Sequence, residues 1–454
     1  MNRISVFAII FTLFIPLGSY AQYASSSKTP KKAGDLIEST SYNDHKRGAP
    51  RMLQYLPSGE EFVCVNGKNR YTRALYGGHT AWRLETGDRP IFATYVKNDC
   101  RNIRFRLHLP DGTVTPLEET DWCEARYNPG TRTYALKDKA WGENCSLKVS
   151  VLASLTEEMA VWELSGELPA GCELEVLNSP IRRKKLSRSG DMGADPPGCF
   201  EPAEDGTVLQ TLKCRFPADG HLYVGISGNE LKEMRDGGVQ YLALQKACRE
   251  LAGRIRITTP DPYFNTLGGA LAVAADGIWG EEGVWLHGAV GWRMPLSGWR
   301  AAYVGDVLGW HDRARTHFDN YAASQVTEVP NTISHPAQDS ALALARSAKI
   351  WGTPQYSNGY ICRNPRRNNQ MHHYDMNLCY IDELLWHFNW TGDLEYARRM
   401  WPLLTLHLAW EKRNFDPDND GLYDAYACIW ASDALYYNSG AVTHSSAYNY
   451  RGNK

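Results

Sequence analysis

Apolar residues change their spacing near residue 260, and that change divides the chain. From Tyr42 to Thr259 they alternate with polar or small neighbours over short runs: Val149-Ser150-Val151, Val161-Trp162-Glu163-Leu164, Leu222/Val224/Ile226 and Ile255/Ile257. A period of two places successive side chains on opposite faces of a strand. Turn chemistry separates the runs, at Pro57-Ser58-Gly59, Asn66-Gly67, Gly77-Gly78, Pro110-Asp111-Gly112, Asn128-Pro129-Gly130 and Ala218-Asp219-Gly220. Many short strands joined this way predict a large two-sheet β-sandwich over 42–259.

Beyond Pro260 the period becomes helical. Leu267, Ala270, Ala274 and Ile278 mark one face of a first helix, and a second is predicted from about Arg300 to Ala323. Leu378, Ile381, Leu385 and Phe388 draw one apolar stripe; Leu394, Ala397, Trp401, Leu404 and Leu408 draw another. Thr391-Gly392-Asp393 between them supplies a stop and a new cap, which predicts a helical hairpin. Pro402 is expected to kink its second arm, and a last helix is expected to begin around Ser445. The fold class is therefore α+β and multidomain, an N-terminal sandwich followed at 260–454 by hairpins with a core of their own.

The start of the chain has a different logic. Arg3 precedes an apolar run from Ile4 to Ile15, then Pro16-Leu17-Gly18, with Ser19 and Ala21 as small residues at a cleavage point. This reads as a secretory signal peptide over 1–22, with a flexible linker at 23–41, and implies a periplasmic or secreted protein. No later stretch is apolar enough to span a bilayer. A net charge of −2 removes the electrostatic basis for binding nucleic acid. Eleven cysteines lack CxxC or His-rich spacing, so they give no support for zinc, and their connectivity is open. The 15 Trp and 25 Tyr suit a large core and also sugar recognition, because a pyranose stacks its C–H face on an aromatic ring.

Three loop stretches mix Trp, Arg, His, Asp and Asn. They run from Trp279 to Tyr303, from Arg363 to Asp375, and from Phe415 to Leu435. Rings that stack and polar groups that pair with hydroxyls are what a saccharide requires. The candidate substrate contacts are Trp292, Arg293, Trp299, Arg300, His373, Asp375 and Trp430. His372 and His373 lack a third ligand at metal spacing, so sugar contact is the better reading than metal. Asp416, Asp418 and Asp420 also begin a D-x-D-x-D-G calcium pattern, but Ala427 stands where an EF-hand needs its bidentate Glu. A calcium site of another type stays open beside the simpler reading, a side-chain-capped turn. No other cofactor is expected.

The third stretch, Asp416-Pro417-Asp418-Asn419-Asp420-Gly421-Leu422 followed by Trp430-Ala431-Ser432-Asp433, resembles a loop of (α/α)6 six-hairpin glycosidases related to glucoamylase and trehalase. Tyr55-Leu56-Pro57-Ser58-Gly59 and Arg73-Ala74-Leu75-Tyr76-Gly77 look like the N-terminal region of large secreted Bacteroidetes glycosidase-like proteins. The resemblance implies a glycoside hydrolase acting on plant or host polysaccharide, with a helical toroid after the sandwich. It implies Asp433 as general acid and a catalytic base from a later helix pair. The chain is thus expected to be C-terminally truncated and weak or inactive alone. Two rivals remain: a polysaccharide lyase, kept open by His373 beside Tyr374, and a non-catalytic glycan-binding protein.

Overall fold

The computed structural model describes residues 54–76, 78–96, 99–186, 195–289, 293–327, 358–368, 375–416, 418–423 and 443–454. Fifteen strands form two antiparallel sheets. The eight-stranded sheet runs, in spatial order, β1 (Leu56–Ser58), β2 (Glu61–Val65), β8 (Trp122–Asn128), β9 (Thr131–Lys137), β10 (Ser146–Ala153), β11 (Met159–Glu167), β14 (His221–Ser227) and β15 (Glu230–Glu233). The seven-stranded sheet runs β13 (Gln210–Arg215), β12 (Glu173–Pro180), β6 (Asp99–His108), β5 (Phe92–Val96), β4 (Arg83–Thr86) and β3 (Arg73–Tyr76), with β7 (Val114–Pro116) also paired to β6. Alternation in the sequence becomes one inward row per strand. Tyr134, Val149, Val151, Trp162 and Val224 of the first sheet meet Leu84, Phe92, Phe105 and Val176 of the second in a single buried cluster. Its centre is aromatic, with the Trp162 ring 5.3 Å from Phe92 and 5.5 Å from Phe105. This is the expected sandwich-like, N-terminal β domain ahead of helices.

The strands end sooner than expected. Helix α1 (Gly237–Ala252) occupies part of the stretch assigned to strands and lies on the outer face of β10 and β11, where Tyr241 and Cys248 cover Leu152 and Val161. Its buried stripe is thin, with Tyr241, Cys248 and Leu251 inward and Val239 and Leu242 exposed, so the sequence carries little helical signal. Ile255 and Ile257 do alternate, but neither lies in a strand. They pass beneath α2 (Pro262–Gly277) at Gly268, where an added Cβ would sit 3.1 Å from Ile257.

The helices after Pro260 are present: the expected stripe of Leu378, Ile381, Leu385 and Phe388 packs into their core, while two other helices are turned from their expected faces. α2 buries Gly268, Ala272 and Ala275, while Leu267 is exposed, because the close approach of α1 and the Ile255–Ile257 segment selects the small-residue side. The helix expected over 300–323 is two, α3 (Tyr303–Val307) and α4 (His311–Ala322), separated where Gly309 turns left-handed at φ 72°. α5 (Asp375–Thr391) and α6 (Leu394–Phe415) form the expected hairpin; Gly392 has φ 63° and the Asp393 carboxylate accepts from the Tyr396 amide at 2.9 Å. α6 continues through Pro402 and buries Tyr396, Met400, Leu403, His407 and Trp410. That face replaces the expected stripe, whose Leu394 and Trp401 point to solvent. α7 (Thr443–Asn453) packs on α5 and α6.

Trp285, Phe318, Tyr380 and Leu384 form the core of this helical half. Among the described residues no helix is long and apolar enough to cross a membrane. Cys100, Cys123, Cys145, Cys172, Cys199, Cys214 and Cys248 are free thiols, all buried except the half-buried Cys145.

Candidate functional site

Two of the sequence-derived contacts come together where the loop 293–302 lies across α5. The approach is close: a Cβ on Gly298 would fall 1.9 Å from the Met376 carbonyl and 2.5 Å from the Tyr380 nitrogen, so only glycine fits. Next to it the half-buried Trp299 ring meets His287 edge-on, with centroids 4.3 Å apart. Arg300 is exposed, has a left-handed backbone (φ 64°) and carries its guanidinium 5.8 Å from the Trp299 ring. The chain then enters α3, where the Ala302 amide donates to Glu383 Oε1 at 3.1 Å and the Tyr303 hydroxyl donates to Asp382. From α7, Arg451 Nε donates to the other Asp382 oxygen at 3.0 Å. Loop, α3, α5 and α7 therefore share one polar face, with a tryptophan at its edge.

The two neighbouring carboxyl groups differ. Glu383 is 2% exposed, and burial raises its pKa well above the ordinary carboxylate range against the pull of the Ala302 and Tyr303 amides. Burial thus favours its neutral form, and its bond to the Ala302 amide makes it a positioning group under the loop. Asp382 is ion-paired with Arg451. Burial, then the bond to Asp382, raises the Tyr303 phenol, and burial with Cys379 nearby raises Tyr448. The face thus offers neutral hydroxyls, one paired carboxylate, a guanidinium and a ring, a donor–acceptor mixture suited to polyhydroxylated ligands. Sequence reading missed Tyr303, Asp382, Glu383 and Arg451. The signal was an acidic pair set inside the apolar run Leu378–Phe388.

The other candidates fall elsewhere. Arg293 gives Nη1 to the Gly277 carbonyl at 2.6 Å and Nη2 to the carbonyls of His79 at 2.6 Å and Trp279 at 3.0 Å. These bonds clamp the loop to the end of α2 and to the sandwich. Asp375 is the first residue of α5. Trp292, His373, Trp430 and Asp433, the proposed general acid, lie outside the described residues.

The acidic turn after α6 is compact. Single oxygens of Asp416, Asp418 and Asp420 all lie within 4.8 Å of one another, a group that could hold a metal ion. Asp416 is buried and accepts from the Gly421 amide at 3.3 Å, while Asn419 (φ 63°) and Gly421 (φ 83°) make the turn.

Two further ionic groups serve the fold. Asp276 joins His79 of the sandwich at 3.0 Å to Arg313 of α4 at 2.7 Å; burial opposes its charge, but these two partners hold it below the ordinary carboxylate range. Asp306 accepts from His387 at 2.9 Å in the helical core.

A family model described as a domain of unknown function, DUF4450, matches residues 100–209. The match lies inside the sandwich, from β6 to the approach to β13, and leaves the helical half unmatched. No curated protein matches the chain.

Proposed function

We propose that the protein is a periplasmic or secreted glycoside hydrolase acting on plant or host polysaccharide, and that its helices belong to an (α/α) toroid. The observation that carries this reading is the face beneath Trp299 and Arg300, where a ring, a guanidinium, two phenols and a paired carboxylate converge on one loop crossing. A sugar ring stacks on Trp299 while Arg300 and the phenols take its hydroxyls. Asp433 acts as general acid toward the leaving oxygen, and hydrolysis needs a second carboxylate opposite it. Calcium is the ion best suited to the all-oxygen Asp416, Asp418 and Asp420 turn, where it would fix the loop leading toward Trp430 and Asp433.

The test assays reducing-end release and oligosaccharide binding on a panel of plant and host glycans. Turnover is expected to fall by about 10²-fold or more on Asp433→Asn, and binding is expected to weaken about tenfold on Trp299→Ala. An Asn variant with undiminished turnover removes Asp433 from the chemistry. Failure of Trp299→Ala to change binding removes this face.

A further inference from the structure

The sandwich has a cleft of its own, far from the loop crossing in sequence and built from different elements. It opens where β1, β2, β8 and β9 of one sheet pass the edge strand β3 of the other, beside the first turn of α2. Its volume is ≈ 520 Å³, within the range of small-ligand sites. Five aromatic rings line it: Tyr55, Phe62, Tyr76, Tyr127 and Tyr263. Arg132 stands among them, 1% exposed. Arg132 Nη2 donates to the Tyr55 hydroxyl at 2.8 Å and to the Gly87 carbonyl at 2.7 Å, and Tyr55 donates in turn to Asp88 at 2.6 Å. One wall of the cleft is therefore held rigid before any ligand arrives, which lowers the ordering cost of binding. Arg132 Nε and Nη1, in contrast, have no partner among the described residues, an uncommon state for buried donors.

From this we infer that the sandwich carries a second glycan-binding site, which takes a neutral pyranose oligosaccharide between the tyrosine rings. Four of the five rings are phenols, so the walls present apolar faces and hydroxyl edges together, the same pairing a pyranose offers. A purely apolar ligand would waste those hydroxyls. An acidic sugar is disfavoured because Asp88 lies one hydroxyl away from Arg132 and offsets its charge.

Titration calorimetry tests this with cellotetraose, xylotetraose, mannotetraose, maltotetraose and trigalacturonate as probes. At least one neutral tetrasaccharide should bind with saturation. Measured in a Trp299→Ala background, where the loop crossing no longer contributes its ring, Tyr263→Ala and Tyr127→Leu should each weaken that binding about tenfold, while Val239→Ala at an exposed position of α1 leaves it unchanged. Tyr263 sits half-exposed in the first turn of α2, so its removal should leave the melting temperature nearly unchanged and keeps the test clear of misfolding. No saturable binding in the Trp299→Ala background up to about 10 mM, binding there by trigalacturonate alone, or binding there that Tyr263→Ala and Tyr127→Leu leave unchanged would each overturn the proposal. Because the background lacks the Trp299 ring on which the hydrolase reading seats its sugar, the outcome is independent of that reading.

Discussion

The two halves bury their titratable groups differently. The sandwich centre is a layer of aliphatic and aromatic side chains, and its described histidines, His79, His108 and His221, keep side-chain exposures of 23%, 31% and 48%. The helical half places His317, His407, Glu383, Asp306 and Glu411 between its helices, each 4% exposed or less. The sandwich does bury charge, but in paired or hydrogen-bonded sets such as Arg83 with Glu85 and Arg132 with Tyr55 and Asp88, whereas helices meeting around a loop crossing use polar groups to hold unpaired amides such as that of Ala302. His317, His407 and Glu383, whose pKa values burial shifts, tie the stability of the helical half to pH.

Acid should therefore separate the halves, and this is the largest effect expected. Burial depresses His317 and His407 to about 3 from 6.5. A base whose folded pKa is lowered stays neutral while its unfolded form takes a proton. Stability is thus complete above pH 6.5 and falls toward pH 3, by about 1.4 kcal/mol per pH unit for each histidine. In the sandwich, Glu201 is held below its ordinary 4.5 by Arg70 and Arg104 despite burial, so its stabilisation is lost only below that pH. Near-ultraviolet dichroism of the helical tryptophans should change between pH 6.5 and 4.5 before the strand signal does. Simultaneous loss of both signals would dissolve the contrast.

Trp162→Ala attacks the other side of the comparison. It removes the ring shared by Phe92 and Phe105 and should cost about 3–5 kcal/mol in denaturant unfolding, with little dependence on pH. A cost that varied strongly with pH would show titratable groups coupled to that layer.

Glu383→Gln should act in the opposite direction, and more mildly. The raised folded pKa of Glu383 means that its stabilisation is full below about 4.5 and is lost as pH rises toward the folded value. Gln keeps an oxygen for the Ala302 amide without that loss. The variant should match the parent near pH 4.5 and be the more stable of the two at pH 7. A less stable variant at pH 7 would mean that the carboxyl is charged and paired.

Calcium should have the smallest effect. Millimolar calcium is expected to raise the melting temperature by a few degrees, corresponding to about 1–2 kcal/mol, and Asp416→Asn should abolish the shift. Equal melting temperatures in calcium and in chelator would leave the acidic turn as a turn.

Legibility also differs between the halves. Alternation along Val149–Val151 and Val161–Leu164 predicted strands that exist, because a period of two leaves only a choice of face. β10 and β11 broke even that choice, since α1 buries Leu152 and Val161 on the outside. A helix offers many possible faces, and the expected stripes of α2 and α6 were rotated from the buried ones. Gly268 and Ala272 pack inward because neighbours come close, while Leu267 stays outside, and hydrophobicity alone cannot register closeness. The hairpin at Gly392 and Asp393 was readable because capping chemistry is local. At the site, Trp299 and Arg300 stood out by type, but the arrangement of Tyr303, Asp382 and Arg451 depends on three elements distant in sequence. Arg293 stood out equally and proved to be a clamp.

On the proposed export route, Cys100, Cys123, Cys214 and Cys248 of the strand-rich half set a kinetic condition. Burial raises the Cys100 and Cys248 thiols to about 11 and the Cys123 and Cys214 thiols to about 12, so the folded chain presents almost no thiolate to an oxidant. An unfolded chain has no such protection. In an oxidising compartment these sulfurs survive only if the sheets close faster than thiols pair wrongly, so maturation becomes a race between packing and sulfur chemistry. Once closed, the same residues become a graded clock: the rate at which a thiol reagent labels each one records how often its part of the sandwich opens.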